Sequence, residues 1–346
     1  MNETMHNDII RHASAMADKS SFVADDFAQA LFPKTEVVFN DRMRSNARQY
    51  LRAMIGRIEA RLCQIATQEL GVTHETLLKI GQGGAGQSFR LLENSGLLKT
   101  VEIVQHLFVT AQQRELAARL LQKISQQDLE ATLTRHLYHD DLVIAEAAMG
   151  LLVAQSRTTG AVGEIFASLA DLPAEIAYAF AWPVTASLAR ISGLPGLQLQ
   201  QATDRLLASH DESAGVARKA DRLAQLLEQA RTTEDHMPHP MRDGLSLFIA
   251  RLARQSGLTS DQIIAFTAEP NMVRLVVAMR AADYPAPEAL SVFAALDSGD
   301  HILTAATYRE TDRDRSMALV SNWATPCAYQ NAQRILADDC LSDSGK

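Results

Sequence analysis

The clearest helical pattern in the chain lies in residues 41–70, which read DRMRSNARQYLRAMIGRIEARLCQIATQEL. Apolar residues recur in this stretch at spacings of three and four, the period that places side chains on one face of an α-helix. Gly71 follows, and glycine most readily adopts the left-handed conformation that ends a helix. We therefore predict one long helix from about Asp41 to Leu70. The members of its apolar stripe are Met43, Ala47, Leu51, Met54, Ile58, Leu62 and Ile65.

The remainder of the chain supports the same fold class. Aromatic residues make up only 5% of the 346 residues, and the chain has 10 prolines and 17 glycines. A β fold normally contains more β-branched and aromatic residues and more turns. Two helices are predicted around residues 101–109 and 113–124, and from residue 127 onwards the breaks recur at intervals typical of helical hairpins. We expect an all-α fold, an irregular helical-hairpin repeat (HEAT-like) array with a helical N-terminal region.

A glycine-containing segment, Gly81-Gln82-Gly83-Gly84-Ala85-Gly86, separates two parts of the chain. Glycine destabilises a helix interior by about 1 kcal/mol per residue, so this segment interrupts the helical pattern. Gly81, Gly83 and Gly86 have the spacing of a dinucleotide-binding loop, but such a loop follows a strand, whereas residues 75–80 have a helical pattern. We predict a linker and no cofactor. The predicted domains are residues 1–80 (N-terminal helical region), 81–96 (loop and linker) and 97–346 (helical-repeat domain).

Two stretches within the repeat domain are similar to each other, residues 172–183 and residues 258–270. Phe180 aligns with Phe266, and one inserted residue brings the closing prolines together. A structural unit that cannot cover its own apolar face is stabilised by stacking on another copy. Chance similarity between Ala- and Leu-rich helices is the alternative explanation. The alignment predicts duplicated units near residues 140–210 and 240–300.

One segment of this domain carries a resemblance to a known family. Residues 241–258, MRDGLSLFIARLARQSGL, are followed by VRLVVAMRA at residues 273–281. The Asp-Gly-Leu-x-Leu-Phe sequence that opens the first helix resembles a recurrent phrase of an alphaproteobacterial helical, HEAT-like family known only as a domain of unknown function. The resemblance covers roughly residues 127–300. It implies a helical fold and a bacterial origin, and it implies no activity and no site residues.

Charge and cysteine content narrow the possible environments. The formal net charge is −8, which disfavours nucleic acid as a partner unless a local basic patch overrides it. The three cysteines, Cys63, Cys327 and Cys340, are far apart and form no Cys-x-x-Cys pair, as expected in a reducing compartment. No window has the apolar length of a membrane span, and residues 1–18 lack the apolar core of a signal peptide. We expect a cytoplasmic protein.

One cluster has the residue types of a metal site. His139 and Asp140 are adjacent, and His106 and Asp211 are the candidates for further ligands of a helical, metal-dependent phosphohydrolase. Such an enzyme uses a divalent metal to activate water for attack on a phosphoester. The alternative is that the acidic residues cap helices, because an Asp before a helix accepts hydrogen bonds from its first N–H groups. We favour capping and predict no metal. The second histidine pair, in His236-Met-Pro-His239-Pro, is expected in a loop.

Arginines flank the apolar stripe of the predicted helix 41–70. Arg44, Arg48 and Arg52 are spaced four residues apart and therefore lie on one face. One interpretation is a basic amphipathic helix that contacts an acidic protein, a membrane surface or, least favoured, nucleic acid through these arginines. In the same interpretation, Leu51 and Ile58 pack against a partner helix or a second copy of the chain. The alternatives are a solvated outer face and packing of the stripe within the same chain.

No nucleophile motif accompanies these features, and no catalytic residue is assigned. The function that we expect is a non-enzymatic protein-interaction or regulatory scaffold whose partner is another protein or a second copy of this chain, because stacked hairpins form extended grooves. The alternatives are the metal-dependent phosphohydrolase described above and a small-ligand sensor with a cavity between helices.

Overall fold

The structure is a computed structural model that describes residues 41–81, 87–123, 134–157, 167–230, 236–296 and 303–325, together with residues 9–11, 13, 14, 329, 332 and 336. Every regular element in these ranges is a helix, which confirms the predicted all-α fold. No helix in the same ranges combines the length and the apolar character needed to cross a bilayer. Residues 82–86, which hold most of the glycine-containing segment, lie outside the described residues.

Four helices form the N-terminal part, and the first of them ends in a wider turn. This turn is a π-helical segment, Ile65–Glu69, which directly continues the first helix. The helices are α1 (Asp41–Gln64), α2 (Glu75–Gly81), α3 (Gln87–Ser95) and α4 (Val101–Lys123).

The remaining helices follow in two groups, and short 3₁₀ turns precede three of them. The middle group is α5 (Leu142–Ser156), α6 (Ala174–Ser192), α7 (Gly196–Ala208) and α8 (Val216–Ala230). The last group is α9 (Pro240–Asp243), α10 (Leu245–Ser256), α11 (Ser260–Thr267), α12 (Val273–Ala281), α13 (Ala286–Leu296), α14 (Ala305–Glu310) and α15 (Arg313–Ala324). The 3₁₀ turns are Leu169–Asp171, Glu212–Ala214 and Pro270–Met272.

Three apolar cores hold these helices together. Core 1 joins α1 to α2, α3, the first half of α4, α6 and α7, and core 2 joins the second half of α4 to the helices from α10 onwards. Core 3 is smaller and lies between α5, α8 and α10. Because α4 contributes to cores 1 and 2 and α10 contributes to cores 2 and 3, the two helices link the cores.

Helix α1 lies at the centre of core 1. It contacts α2, α3, α4, α6 and α7, so apolar side chains on more than one of its faces are covered. The predicted stripe is buried from Ala47 through Ile65, and only Met43, at its start, stays partly exposed. Gly71 adopts a positive φ of 67° after the π turn, as expected for a glycine that follows a helix. The predicted helix is therefore confirmed, apart from the change to π geometry at its end.

Two expectations for the region after α2 need correction. The residues predicted as two helices, 101–109 and 113–124, form the single helix α4, because no glycine or proline interrupts residues 110–112. Within the predicted linker 81–96, Gln87–Ser95 form α3, whose Phe89 and Leu92 are buried in core 1. Core 1 consequently draws residues from both sides of the predicted domain boundary.

The two stretches that predict a duplication share some features and differ in others. Phe180 and Phe266 are both buried, but Phe180 belongs to core 1 and Phe266 to core 2. Pro183 lies inside the continuous helix α6, whereas Pro270 begins a 3₁₀ turn that separates α11 from α12. Helices α6 and α7 pack along each other, while α12 packs mainly on α15. The duplication and the HEAT-like stacking stay predictions.

Candidate functional site: an arginine-lined cleft

The three arginines predicted as an interaction face lie at the surface of α1. Arg44 donates to Asp41 at 2.8 Å within the first turn, and Arg48 donates to Glu93 of α3 at 2.8 Å. Arg52 is exposed. Two of the three guanidinium groups are thus paired with acids of the same chain, as in the solvated-face alternative.

Leu51 and Ile58, the apolar members of the same prediction, have a different environment. Each is only 1% exposed and lies in core 1. Their side chains are covered by the helices that pack around α1. The stripe therefore packs within the chain, as in the alternative of intrachain packing, and Leu51 and Ile58 are not available to a partner in this structure.

The alternative metal site is not formed. His106 lies beside Tyr50, with its Nε2 atom 3.3 Å from the tyrosine hydroxyl, and Asp211 accepts a hydrogen bond of 3.0 Å from the Ser213 N–H. His139 accepts a hydrogen bond of 3.0 Å through Nδ1 from the N–H of Asp141. Asp140 is exposed, and the four candidate ligands, His106, His139, Asp140 and Asp211, do not converge. The described residues hold no group of three His, Cys, Asp or Glu side chains arranged to bind a metal ion.

The capping alternative applies instead. Asp141 precedes α5 and accepts a hydrogen bond of 2.8 Å from the Val143 N–H, and Asp211 has the same role before the 3₁₀ turn Glu212–Ala214. These carboxylates satisfy N–H groups that have no acceptor within the helix. Their presence in the sequence is explained by local structure.

A second histidine cluster contains the residue types of a hydrolytic triad. His239 Nε2 lies 3.0 Å from the Ser291 hydroxyl, and Asp243 accepts a hydrogen bond of 2.8 Å from the backbone N–H of His239. In a triad the imidazole accepts the serine proton through Nε2 and donates from Nδ1 to the carboxylate. Here Nδ1 accepts a hydrogen bond from the Met241 N–H, so the neutral ring carries its proton on Nε2 and donates to Ser291.

The electrostatics of this cluster agree with that assignment. Burial lowers the pKa of His239, and the nearby Arg242 lowers it further, which keeps the imidazole neutral. The Asp243 carboxylate faces Arg251 at 3.8 Å instead of the imidazole ring. The cluster therefore fixes the start of α9 and does not activate Ser291.

A cleft of about 660 Å³ opens at the C-terminal end of α1. Its volume lies within the range of about 300–1,000 Å³ that small-molecule sites occupy. Two of its walls are α1 with its π turn and α2, and the others are Arg157 at the end of α5 and residues 167–170. Residues 158–166, which connect these last two parts, lie outside the described residues. The lining residues are Arg57, Ala60, Arg61, Cys63, Gln64, Thr67, Gln68, Leu77, Leu78, Arg157, Ala167, Ser168, Leu169 and Ala170.

Three guanidinium groups line the cleft. Arg57 and Arg61 are one helical turn apart on α1, and Arg157 approaches from α5. Arg61 donates to the Gln64 side chain at 2.9 Å and lies 3.5 Å from the Glu69 carboxylate. The pairing is therefore partial, and the cleft has a basic wall that attracts anions.

The π turn places polar side chains beside these arginines. The Leu70 N–H donates to the Ile65 carbonyl at 3.1 Å, five residues back, so the backbone is wider than in an α-helix. Gln64 donates to Gln68 at 3.2 Å, and the Thr67 hydroxyl donates to the Cys63 carbonyl at 2.7 Å. Turns of this kind are frequent at functional sites. The widened turn therefore lines the cleft with amide and hydroxyl groups.

The wall formed by residues 167–170 is held from behind by the loop before α8. Asp171 accepts a hydrogen bond of 2.9 Å from the Val216 N–H. Gly215 lies directly against the Ala170 backbone, where a Cβ atom would be under 3.0 Å from the carbonyl oxygen. Burial raises the pKa of the Asp171 carboxyl, and the Val216 hydrogen bond and the nearby Arg114 oppose that effect. Only glycine at position 215 permits the close approach to the Ala170 backbone.

A buried polar cluster around Tyr50 lies near Asp171. Arg114 lies over the Tyr50 ring, with its Cζ atom 4.7 Å from the ring centroid. Burial raises the pKa of Tyr50 above its usual range and lowers the pKa of His106 to about 4. Both groups are consequently neutral near pH 7. The cluster connects α1 with α4, and no wall of the cleft includes its members.

Cys63 provides the thiol among the described lining residues of the cleft. Its side chain is buried, and burial together with the nearby Glu59 raises the pKa of the thiol to about 12. A thiol in this state is protonated at neutral pH and is a poor nucleophile. Among the described lining residues, the groups that interact strongly with a ligand are therefore arginines, amides and hydroxyls.

Sequence reasoning predicted the basic character of α1 but not the cleft. Arg57 and Arg61 belong to the arginine-rich stretch, yet Arg157 and residues 167–170 carry no local signal that associates them with it. The periodic spacing of the apolar residues also gives no indication of the π turn.

Comparison of the chain with protein-family models, with curated proteins and with solved structures found no match. The resemblance to an alphaproteobacterial helical family stays a prediction.

Proposed function

We propose that this protein is a non-enzymatic ligand-binding module that holds a small organic anion in the arginine-lined cleft at the end of α1. The observation that carries the proposal is the convergence of Arg57, Arg61 and Arg157 on one cavity of about 660 Å³. A guanidinium group offers a planar set of donors that matches carboxylate and phosphate oxygens. This function corresponds to the ligand-sensor alternative drawn from the sequence.

The neutral lining residues support binding of an organic ligand instead of a bare ion. Leu77, Leu78 and Leu169 face the cavity, and Gln64 and Gln68 add amide groups. Small-molecule sites commonly combine an apolar lining with a few polar groups that fix the orientation of the ligand. The ligand is therefore expected to have an anionic head and an apolar body.

The chemistry of the described lining favours binding over catalysis. Arginine remains charged at every physiological pH, and the Cys63 thiol is protonated near pH 7. General acid–base catalysis needs a group that titrates close to the working pH. The described lining contains no histidine, aspartate or glutamate.

Isothermal titration calorimetry with octanoate, suberate and octyl phosphate tests the proposal. We expect at least one of these anions to bind the full chain and the affinity to fall as the salt concentration rises, since exposed charges are screened. Arg57→Gln combined with Arg157→Gln should weaken binding at least tenfold. Arg52→Gln is the matched control, because Arg52 lies on the same helix but outside the cleft. An affinity that the double substitution leaves unchanged, or no binding by any of the three anions, contradicts the proposal.

A second candidate function is the interaction scaffold expected from the sequence, and one observation favours it. Helix α5 carries apolar side chains that the described residues leave exposed: Leu142 is 81% exposed, Met149 50% and Val153 42%. Tyr138, just before the helix, is 87% exposed. Contiguous apolar surface of this kind marks sites of protein association.

As the occupant of this surface we propose a second copy of the chain. A few side chains on one helix expose less than the roughly 800 Å² per partner of a stable interface, so we expect weak, concentration-dependent self-association. Sedimentation velocity over a range of protein concentrations tests this expectation. Met149→Lys should abolish the association, and Glu146→Lys, on the same face, should change its salt dependence. A chain that stays monomeric at all concentrations excludes the second copy.

A further inference from the structure

The acidic residues that the structure describes near the cleft do not neutralise its arginines. Glu69 lies 3.5 Å from Arg61 and also 3.5 Å from Arg205 of α7, so one carboxylate is shared by two guanidinium groups. Both groups are partly exposed, and neither distance is that of a close hydrogen bond. This corner of the cleft therefore retains one uncompensated positive charge.

On the opposite side of the cleft, the described arginines again outnumber the acidic groups beside them. Asp171 lies near both Arg114 and Arg157, and it already accepts the Val216 N–H. Arg57 forms no ion pair with any residue that the structure describes. Among the residues that the structure describes, the cleft therefore has a positive excess larger than the charge of a single carboxylate ligand.

The apolar part of the lining is aliphatic. Leu77, Leu78 and Leu169 supply most of it, and the described lining residues include no Phe, Tyr or Trp. Recognition of a nucleobase generally uses an aromatic side chain on which the base stacks. The cleft offers no such platform in its described part and instead suits a hydrocarbon chain.

From these three observations we infer that the ligand is an aliphatic phosphate monoester. This inference rests on the proposed function and names the substrate class of the same cleft. A phosphate monoester carries a charge of about −1.5 to −2 at pH 7 and has three strong acceptor oxygens. It balances a multiple positive excess better than a carboxylate does, and its ester chain packs against the leucines. Two natural sources share this chemistry, a soluble alkyl phosphate and the headgroup of a phospholipid.

Calorimetry with a graded set of probes tests the ligand class. The probes are inorganic phosphate, butyl phosphate, octyl phosphate, octanoate, suberate and adenosine monophosphate. We expect octyl phosphate to bind tightest, at least tenfold tighter than octanoate. Each methylene that becomes buried should add up to about fourfold in affinity, which corresponds to about 0.8 kcal/mol.

Variants separate the head from the chain of the ligand. Arg57→Gln with Arg157→Gln should lower the affinity for all phosphate probes at least tenfold. Leu78→Ser should remove most of the gain from butyl to octyl phosphate and leave inorganic phosphate unchanged, and it should fold because Leu78 is partly exposed. Arg52→Gln should change neither the affinity for the phosphate probes nor the gain in affinity from butyl to octyl phosphate.

The outcomes distinguish this inference from the proposed function. If octanoate or suberate binds as tightly as octyl phosphate, or if adenosine monophosphate does, the ligand class is wrong while an anion-binding cleft remains. If octanoate, suberate and octyl phosphate all fail to bind, the proposed function itself fails.

Co-sedimentation with vesicles of phosphatidylcholine, with and without phosphatidic acid, then identifies the source of the phosphate ester. Binding only to the phosphatidic acid vesicles, lost in the double arginine variant, indicates a lipid headgroup, and octyl phosphate binding without vesicle binding indicates a soluble ester.

Discussion

Gly215 lies against the backbone carbonyl of Ala170, so close that a Cβ atom on Gly215 would be under 3.0 Å from the oxygen. Ala170 lines the cleft, and Gly215 belongs to the loop that precedes α8. The contact therefore connects the position of a cleft wall to a glycine that is not among the described lining residues. A substitution at Gly215 should therefore displace this wall and alter the shape of the cleft.

Gly215→Ala should move residues 167–171 and destabilise the fold by about 1–3 kcal/mol, the usual effect of inserting an atom into a packed site. Ligand binding in the cleft should weaken in the same variant. Gly150→Ala is the matched control, because Gly150 lies inside α5 and a Cβ there meets only the flexible Lys219 side chain at 3.6 Å. That variant should be more stable by about 0.5–1 kcal/mol. Urea denaturation measures the change in the free energy of unfolding for each variant. Equal changes in Gly215→Ala and Gly150→Ala would contradict the prediction that Gly215 is tightly packed against Ala170.

Leu51→Ala should destabilise the protein by about 2–5 kcal/mol, because Leu51 is buried in core 1 and the truncation leaves a cavity. Light scattering coupled to size-exclusion chromatography should show the same oligomeric state for the wild type and the variant. Arg52→Ala, at the adjacent exposed position, should change stability by less than about 0.5 kcal/mol. A dimer that becomes a folded monomer on Leu51→Ala would show that the stripe is an interface after all.

Stability should decline as the pH falls from about 6.5 towards about 4. Burial lowers the pKa of His106 to about 4, below the value of roughly 6.5 for an unfolded histidine. Between these values the unfolded chain binds the proton and the folded chain does not, so acid favours unfolding. The pKa shifts of His136 and His239 have the same direction and the same main cause.

His106→Asn should make the loss of stability between pH 7 and pH 5 smaller. The measurement is the denaturant midpoint at each pH, compared with the wild type. His236→Asn is the control, because that side chain is exposed and its substitution should leave the pH dependence unchanged. An unchanged pH dependence in His106→Asn would mean that other groups cause the acid sensitivity.

Tyr284→Phe should destabilise the protein by about 1–3 kcal/mol. The buried Tyr284 hydroxyl donates to the Pro238 carbonyl at 3.0 Å, and its removal leaves that acceptor without this donor. Tyr138→Phe is a matched control with the same chemical change at a side chain that is 87% exposed. Thermal unfolding of the two variants provides the comparison. A Tyr284→Phe variant as stable as Tyr138→Phe would show that the hydrogen bond makes no net contribution.

Several elements of the fold were predictable because their determinants are local. The spacing of Ala47, Leu51 and Ile58 defines one face of a helix wherever that helix packs. Asp141 before α5 and Gly71 after the π turn satisfy helix ends through groups only a few residues away. Residues 101–123 show the limit of the same approach: a weak interruption of the apolar pattern suggested two helices where a continuous backbone forms one.

The tertiary structure alone determined that the stripe of α1 is covered by its own chain and that a cleft opens at the end of this helix. Arg61 and Arg157 come from distant parts of the sequence and meet only because cores 1 and 3 hold α1 and α5 in place. Burial of apolar surface is non-directional, so periodicity identifies which face of a helix becomes buried but not which helix buries it. Helix α1 was therefore evident in the order of its residues, whereas the cleft depends on segments that are far apart in sequence, such as those of Arg61 and Arg157. The wall of the cleft further depends on the Gly215–Ala170 contact, which only close packing reveals.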